Sequence, residues 1–187
     1  MSKRVIIVHG WGGSPESDWM AWAKKELEIK GYKVIVPAMP DTDHPKIENW
    51  VPYLTQIVGV VKEDDVFVGH SMGCQTILRF LEGLPEDKKV GKVILVAGFG
   101  PYLKGLTKKE WEIAQPWIDV PLDLDKVRNK ANSFTAIFSD NDPYVPLEEN
   151  SKLFKEKLGA KIIVEHNKGH LSGDDEILEL PILLEVI

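Results

Sequence analysis

The sequence of 187 residues has one cysteine, Cys74. A lone thiol closes no internal disulfide, and no Cys/His set has the spacing of a zinc site, so no disulfide framework and no metal is expected. Such sparing use of cysteine fits a reducing cytoplasm. Long apolar runs are also missing: none approaches the roughly 18 residues that span a bilayer. The N-terminus passes almost at once into Val5-Ile6-Ile7-Val8. Neither signal peptide nor anchor is therefore expected, and the protein is expected to be cytoplasmic, with no membrane partner. Positive charge is in deficit as well. Lys and Arg number 23 against 29 Asp and Glu, a net charge of −6 without a basic stripe, which argues against a nucleic-acid partner.

What the chain does have is a rhythm. With 43% hydrophobic residues it can build a sizeable core, and one domain over residues 1–187 is the simplest organisation. Strand-like apolar runs at 4–9, 33–37, 64–69, 92–97, 133–138 and 161–165 alternate with helical segments at about 17–30, 46–61, 72–84, 147–158 and 174–187. That alternation predicts an α/β fold with a mostly parallel sheet of about six strands and helices on both faces. The strands are continuous apolar runs such as Val93-Ile94-Leu95-Val96-Ala97, as expected where both faces are covered. The helix over 147–158 instead shows one stripe, Leu147, Ser151, Phe154 and Leu158, and Gly159 supplies its stop. Pro181 interrupts the last helix and suits the first position of a new turn over 182–187. Residues 98–132 break the rhythm with Pro101, Pro116 and Pro121 beside Trp111 and Trp117. They suggest either a small cap or a surface crossover with its tryptophans packed on the core.

Four motifs fall in one order: His9-Gly10-Trp11-Gly12-Gly13, Gly69-His70-Ser71-Met72-Gly73, Asn141-Asp142-Pro143-Tyr144-Val145-Pro146 and Gly169-His170. A Gly-x-Ser-x-Gly match is weak alone. Here it follows the apolar strand Val66-Phe67-Val68 and precedes a helical run from Cys74 to Glu82, so it reads as a strand-turn-helix elbow that lifts a serine hydroxyl off the sheet. The glycines leave room where side chains would collide with strand and helix. The first helical amide, from Met72, is left free to hold an oxyanion. A second donor is expected from the loop after the first strand, with the Trp11 amide the best candidate. That loop has neither Gly-x-Gly-x-x-Gly spacing nor a Gly-Lys-Ser/Thr ending, so it does not read as a phosphate cradle, and no cofactor is expected.

A serine hydroxyl needs a base, and the base needs a group that fixes its tautomer. Among five histidines, His170 stands on a flexible loop just beyond the last strand, at the carboxyl edge where open α/β sheets build sites. His9 is expected to shape the oxyanion loop, His70 to fill the variable position of the elbow, and His44 and His166 to be ordinary loop and strand-end residues. Asp142 is the expected acid and Asp140 the near competitor, because Pro143 and the following helix fix the Asp142 backbone. Asp174 and Asp175 suit the first turn of a helix.

On these residues, together with Trp19-x-x-Trp22, Met39-Pro40 with Trp50, Ile77-Leu78-Arg79-Phe80-Leu81-Glu82 and Leu180-Pro181-Ile182, the chain resembles the α/β-hydrolase fold along nearly its whole length. More narrowly it resembles the small YdeN-like serine hydrolases, the group that includes retinoblastoma-binding protein 9. The resemblance implies a compact hydrolase with a minimal cap and a triad at Ser71, Asp142 and His170. Leu171 departs from it, standing where an aromatic often follows the histidine, which points to an altered pocket rim. The expected activity is that of a metal-free, cofactor-free carboxylesterase acting on small acyl esters through an acyl-enzyme. The alternative is a protein-binding module on a hydrolase scaffold.

Overall fold

The computed structural model describes residues 3–187. Six strands form one sheet: β1 (Arg4–Val8), β2 (Lys33–Ile35), β3 (Val66–His70), β4 (Val90–Val96), β5 (Ala131–Ser139) and β6 (Lys161–Glu165). Their order is β2-β1-β3-β4-β5-β6, and every neighbouring pair is parallel. The sheet among the described residues is thus wholly parallel rather than mostly so, and each strand lies within two residues of its expected place. The chain steps from β1 out to β2, then crosses back to β3 on the other side of β1. At this reversal the connections diverge and leave a crevice above the carboxyl ends of β1 and β3.

Helices α1 (Met20–Ile29), α2 (Ile47–Val58), α3 (Met72–Glu82), α4 (Lys108–Asp119), α5 (Leu124–Arg128), α6 (Leu147–Leu158) and α7 (Pro181–Val186) cover the sheet. Alternate strand residues feed two cores. Ile6, Val8, Phe67, Val93 and Leu95 pack with Trp50 and Leu54 of α2, Ile77 and Leu81 of α3 and Phe154 of α6. Val5, Ile7, Val68, Ile94 and Val96 pack with Ala23 and Leu27 of α1 and Leu183 of α7. This is why the strands read as unbroken apolar runs: a period of two places successive residues in different cores. Among the described residues no helix is long and apolar enough to cross a membrane.

Three local expectations are corrected. The expected helix over 174–187 is a 3-10 turn (Gly173–Asp175) followed by α7 with Pro181 at its first turn; Glu176, at φ 62°, ends the turn between them. The stretch 98–132 contains a full twelve-residue helix, α4, opened by a reciprocal capping box between Thr107 and Glu110. That pairing satisfies two end donors at once and starts a helix that its proline content had obscured. On α6 the third buried residue beside Phe154 and Leu158 is Asn150, not Ser151. Asn150 is fully occupied, accepting from Gly100 N (2.8 Å) and donating to the carbonyls of Tyr102 (3.0 Å) and Pro146 (2.8 Å).

Candidate active site

Ser71 sits between β3 and α3 at φ 49°, ψ −114°, outside the regions that non-glycine residues ordinarily adopt. Two close approaches hold this turn. A Cβ on Gly73 would lie 2.2 Å from the Val8 carbonyl oxygen, and one on Gly69 would lie 2.7 Å from the Cys74 nitrogen. Only hydrogen fits at both places, so α3 can start directly against the end of β1. The Ser71 amide is tied to Val96 O at 2.9 Å, which fixes the elbow to β4.

Ser71 Oγ donates to His170 Nε2 at 2.8 Å, and His170 Nδ1 donates to Asp142 Oδ2 at 2.8 Å. The second Asp142 oxygen accepts the amides of Tyr144 (2.8 Å) and Val145 (2.9 Å). Asp142 is therefore a turn aspartate and the partner of His170 at the same time. Asp142 is 5% exposed, and Tyr144 adds a ring edge against His170 at 5.3 Å between centroids. Asp140 goes elsewhere. It pairs with His166 Nδ1 at 2.6 Å and accepts from Asn167 N at 2.8 Å on the surface. Those bonds, the amide of Asn167 first, hold its carboxyl below the usual range.

The loop after β1 is anchored by Gly12 N to Thr42 O (2.8 Å) and by Gly13 N to Gly10 O (3.1 Å). His9, fully buried, accepts from Met39 N at 3.2 Å through Nε2 and donates from Nδ1 to Gly10 O at 2.8 Å. It shapes the loop as expected, and burial pushes its pKa down, which keeps it neutral. Trp11 and Met72 both line the cleft with Ser71. Met72 opens α3, so its amide precedes the first intrahelical hydrogen bond. Cys74 is a core residue: it is completely buried, burial pushes its thiol up, and its Sγ donates to Val96 O at 3.4 Å.

Two residues hold more of the site than their sequence positions suggested. His70 donates from Nε2 to the His170 carbonyl at 3.0 Å, so the variable position of the elbow reaches the loop that carries His170. Burial, and then the neighbouring His170, push the His70 pKa down to about 4. Asp175 takes the other backbone group of the same residue. Its Oδ2 accepts the His170 amide at 2.7 Å and the Ser172 hydroxyl at 2.8 Å. The signal for this was Ser172 three residues before Asp175, a local capping pattern read only as a helix start. Leu171 is completely buried among the residues around Trp19, whose indole donates to Leu171 O at 3.1 Å. It shapes that core rather than the rim of the cleft, contrary to expectation.

The cleft over Ser71 has a volume of about 580 Å³. One side is mostly apolar, with Phe99, Leu103, Leu106 and Ala114 beside Glu110; the other carries Asp18, Ser172, Asp174 and Asp175 beside His170. Residues 98–132 contribute both to the cleft and to the core. Leu103, Leu106 and Ala114 line the cleft, while Trp117 is buried against Trp50 and donates to Pro45 O at 3.0 Å.

A wholly parallel sheet, a serine on a strand-turn-helix elbow and a histidine beyond the last strand define the α/β-hydrolase fold. The crystal structure of the ydeN gene product of Bacillus subtilis superposes with a TM-score of 0.89 at 31% identity, covering 99% of this chain and 96% of that one. In sequence, YdeN of B. subtilis strain 168 is 32% identical over 187 residues, 100% of this chain and 95% of its own length. Est1E of Butyrivibrio proteoclasticus, solved with ferulic acid bound, shares the fold at a TM-score of 0.73 and 16% identity, over 98% of this chain and 88% of that one. The family model for serine hydrolases matches residues 5–187. The chain belongs to the serine hydrolase family.

Proposed function

We propose that this hydrolase is a carboxylesterase acting on small acyl esters, with Ser71, His170 and Asp142 as its catalytic triad and the Trp11 and Met72 amides as oxyanion donors. The observation that carries the reading is the unbroken hydrogen-bonded chain from Ser71 Oγ through both ring nitrogens of His170 to Asp142. As the Ser71 oxygen bonds to the ester carbonyl carbon, its proton passes to His170 Nε2. Asp142 holds the ring in the tautomer that accepts this proton and stabilises the imidazolium that results. The carbonyl oxygen, now negative, takes hydrogen bonds from the two amides. Collapse breaks the bond to the alkoxy oxygen, which leaves as alcohol with the proton from His170. Water then repeats the sequence, donating its proton to His170 while its oxygen bonds to the acyl carbon, and Ser71 recovers its proton as the acid departs.

Substrate size follows from the cleft. Its 580 Å³ is within the roughly 300–1,000 Å³ range of small-molecule sites. The leaving oxygen has to lie beside His170, on the polar side of the cleft, which leaves the apolar side toward Phe99 for the acyl chain. The test is hydrolysis of p-nitrophenyl acetate by the native protein, Ser71→Ala and His170→Ala. Loss of either residue is expected to lower turnover by about 10⁴–10⁶-fold without unfolding. Turnover within tenfold of native in a folded variant removes that residue from the mechanism.

A further inference from the structure

Beyond the cleft lies a second cavity of about 180 Å³. The residues that line it and those that line the cleft have one member in common, Phe99. The two spaces are consecutive along the same pair of helices. On α3 the cleft is lined by Met72 and the second cavity by Gln75; on α4 the cleft is lined by Ala114 and the second cavity by Trp117 and Ile118. Steps of three and four residues are one helical turn, about 5.4 Å of axial rise. The second cavity therefore continues the apolar side of the cleft by one turn.

Phe99 stands at the junction and is 2% exposed. Its peptide is clamped from both sides: Gln75 Nε2 donates to Phe99 O at 2.7 Å, and the next amide, Gly100 N, donates to the buried Asn150 Oδ1 at 2.8 Å. The ring, buried on so firmly held a backbone, stands as a wall common to the two spaces. The walls beyond it are mostly apolar, with Leu78, Leu122, Leu124 and Phe154 beside the two polar side chains of Gln75 and Arg79.

We infer that Phe99 is the residue that limits acyl length, closing the cleft against a mostly apolar chamber that continues it. This rests on the esterase reading above and adds to it the position of the stop. The native protein accommodates an acyl chain only as far as the Phe99 ring. Removal of the ring joins the two spaces, and the 180 Å³ gained holds about six atoms of water size, at about 30 Å³ each.

The experiment measures kcat/KM along a straight-chain p-nitrophenyl ester series, from acetate to dodecanoate, for the native protein, Phe99→Ala and the milder Phe99→Leu. A parallel series of acetates with lengthening alkyl alcohols tests the other direction of the cleft. Each methylene that gains burial is worth about fourfold, so three of them raise the ratio of octanoate to acetate by about 60-fold in Phe99→Ala. Phe99→Leu gives a smaller shift in the same direction and decides the matter if the alanine variant fails to fold. A second substitution that refills the chamber, Leu122→Phe in the Phe99→Ala background, returns the preference toward short chains. An unchanged acyl profile in a folded variant overturns the inference, as does a shift confined to the alcohol series. A native protein that neither hydrolyses any ester of the series nor reacts with a fluorophosphonate overturns the esterase reading itself, a result distinct from an unmoved profile.

Discussion

Replacement of Asp142 by asparagine separates its two duties. One oxygen accepts the amides of Tyr144 and Val145, and the other faces His170 Nδ1 at 2.8 Å. An asparagine of the same shape keeps the first duty, because its carbonyl oxygen still accepts both amides. The second is inverted: an NH₂ group then meets Nδ1, which has to become an acceptor, and the ring proton moves to Nε2. That nitrogen now donates toward Ser71 and no longer takes its proton. Loss of the correct tautomer is worth up to about 10⁴-fold in turnover, about 5 kcal/mol of barrier. The fold is expected to persist, since the turn is intact; each kcal/mol lost would lower Tm by only about 2–4 °C in a chain of this size. Asp140→Asn is the control. It disturbs only a surface pair with His166 and the Asn167 amide, and its expected cost is below about tenfold. The assay is turnover of one ester at one neutral pH for both variants side by side. The reverse ranking moves the acid to Asp140. Equal small effects mean that the orientation of His170 does not depend on either aspartate, and the reasoning fails.

Acid is expected to weaken the fold through His70. Its pKa is about 4 in the folded protein against 6.5 for an ordinary histidine, so between those values the unfolded chain binds the extra proton. Stability is therefore lost as pH falls from about 6.5 toward 4, by up to about 3 kcal/mol. Urea unfolding at pH 7 and pH 4.5 measures this; an equal slope in His70→Gln, which retains a donor for the His170 carbonyl, would assign the acid loss elsewhere. Gly73→Ala places a Cβ 2.2 Å from Val8 O and is expected to cost at least about 3 kcal/mol. A Gly73→Ala protein with native Tm would contradict the close approach of α3 to β1. Short acyl esters are expected to turn over faster than long ones, and a steady rise beyond about ten acyl carbons in the native protein would contradict a cleft of this size.

The parts of the fold set by period were plain in the chain. Val93 to Ala97 is a continuous apolar run because β4 feeds two cores. Gly69 and Gly73 mark the elbow because backbone atoms lie where their Cβ would be. Helix α4 was obscured because Pro116 and the surrounding prolines mask its period, although Thr107 and Glu110 carried its start signal. Of the candidate site, the residues joined into one chain, Ser71, His170 and Asp142, were all readable, because each stands within two residues of a glycine or proline that shapes the backbone. Asp175 was read only as part of a helix start, although Ser172 stood three residues before it. His70 was not readable: its bond to the His170 carbonyl joins positions whose meeting depends on how β3 and the last loop come together, and no local pattern encodes that. Leu171 misled for a related reason: its neighbour faces the cleft while its own side chain turns into the core around Trp19.

The central claim is that Ser71 alone is an activated nucleophile. Its most direct test is reaction of the native protein with a fluorophosphonate, followed by peptide mapping. A single adduct on Ser71 is expected, absent from Ser71→Ala and greatly slowed in His170→Ala. An adduct on Ser139 or Ser172, or labelling that survives in Ser71→Ala, would contradict it.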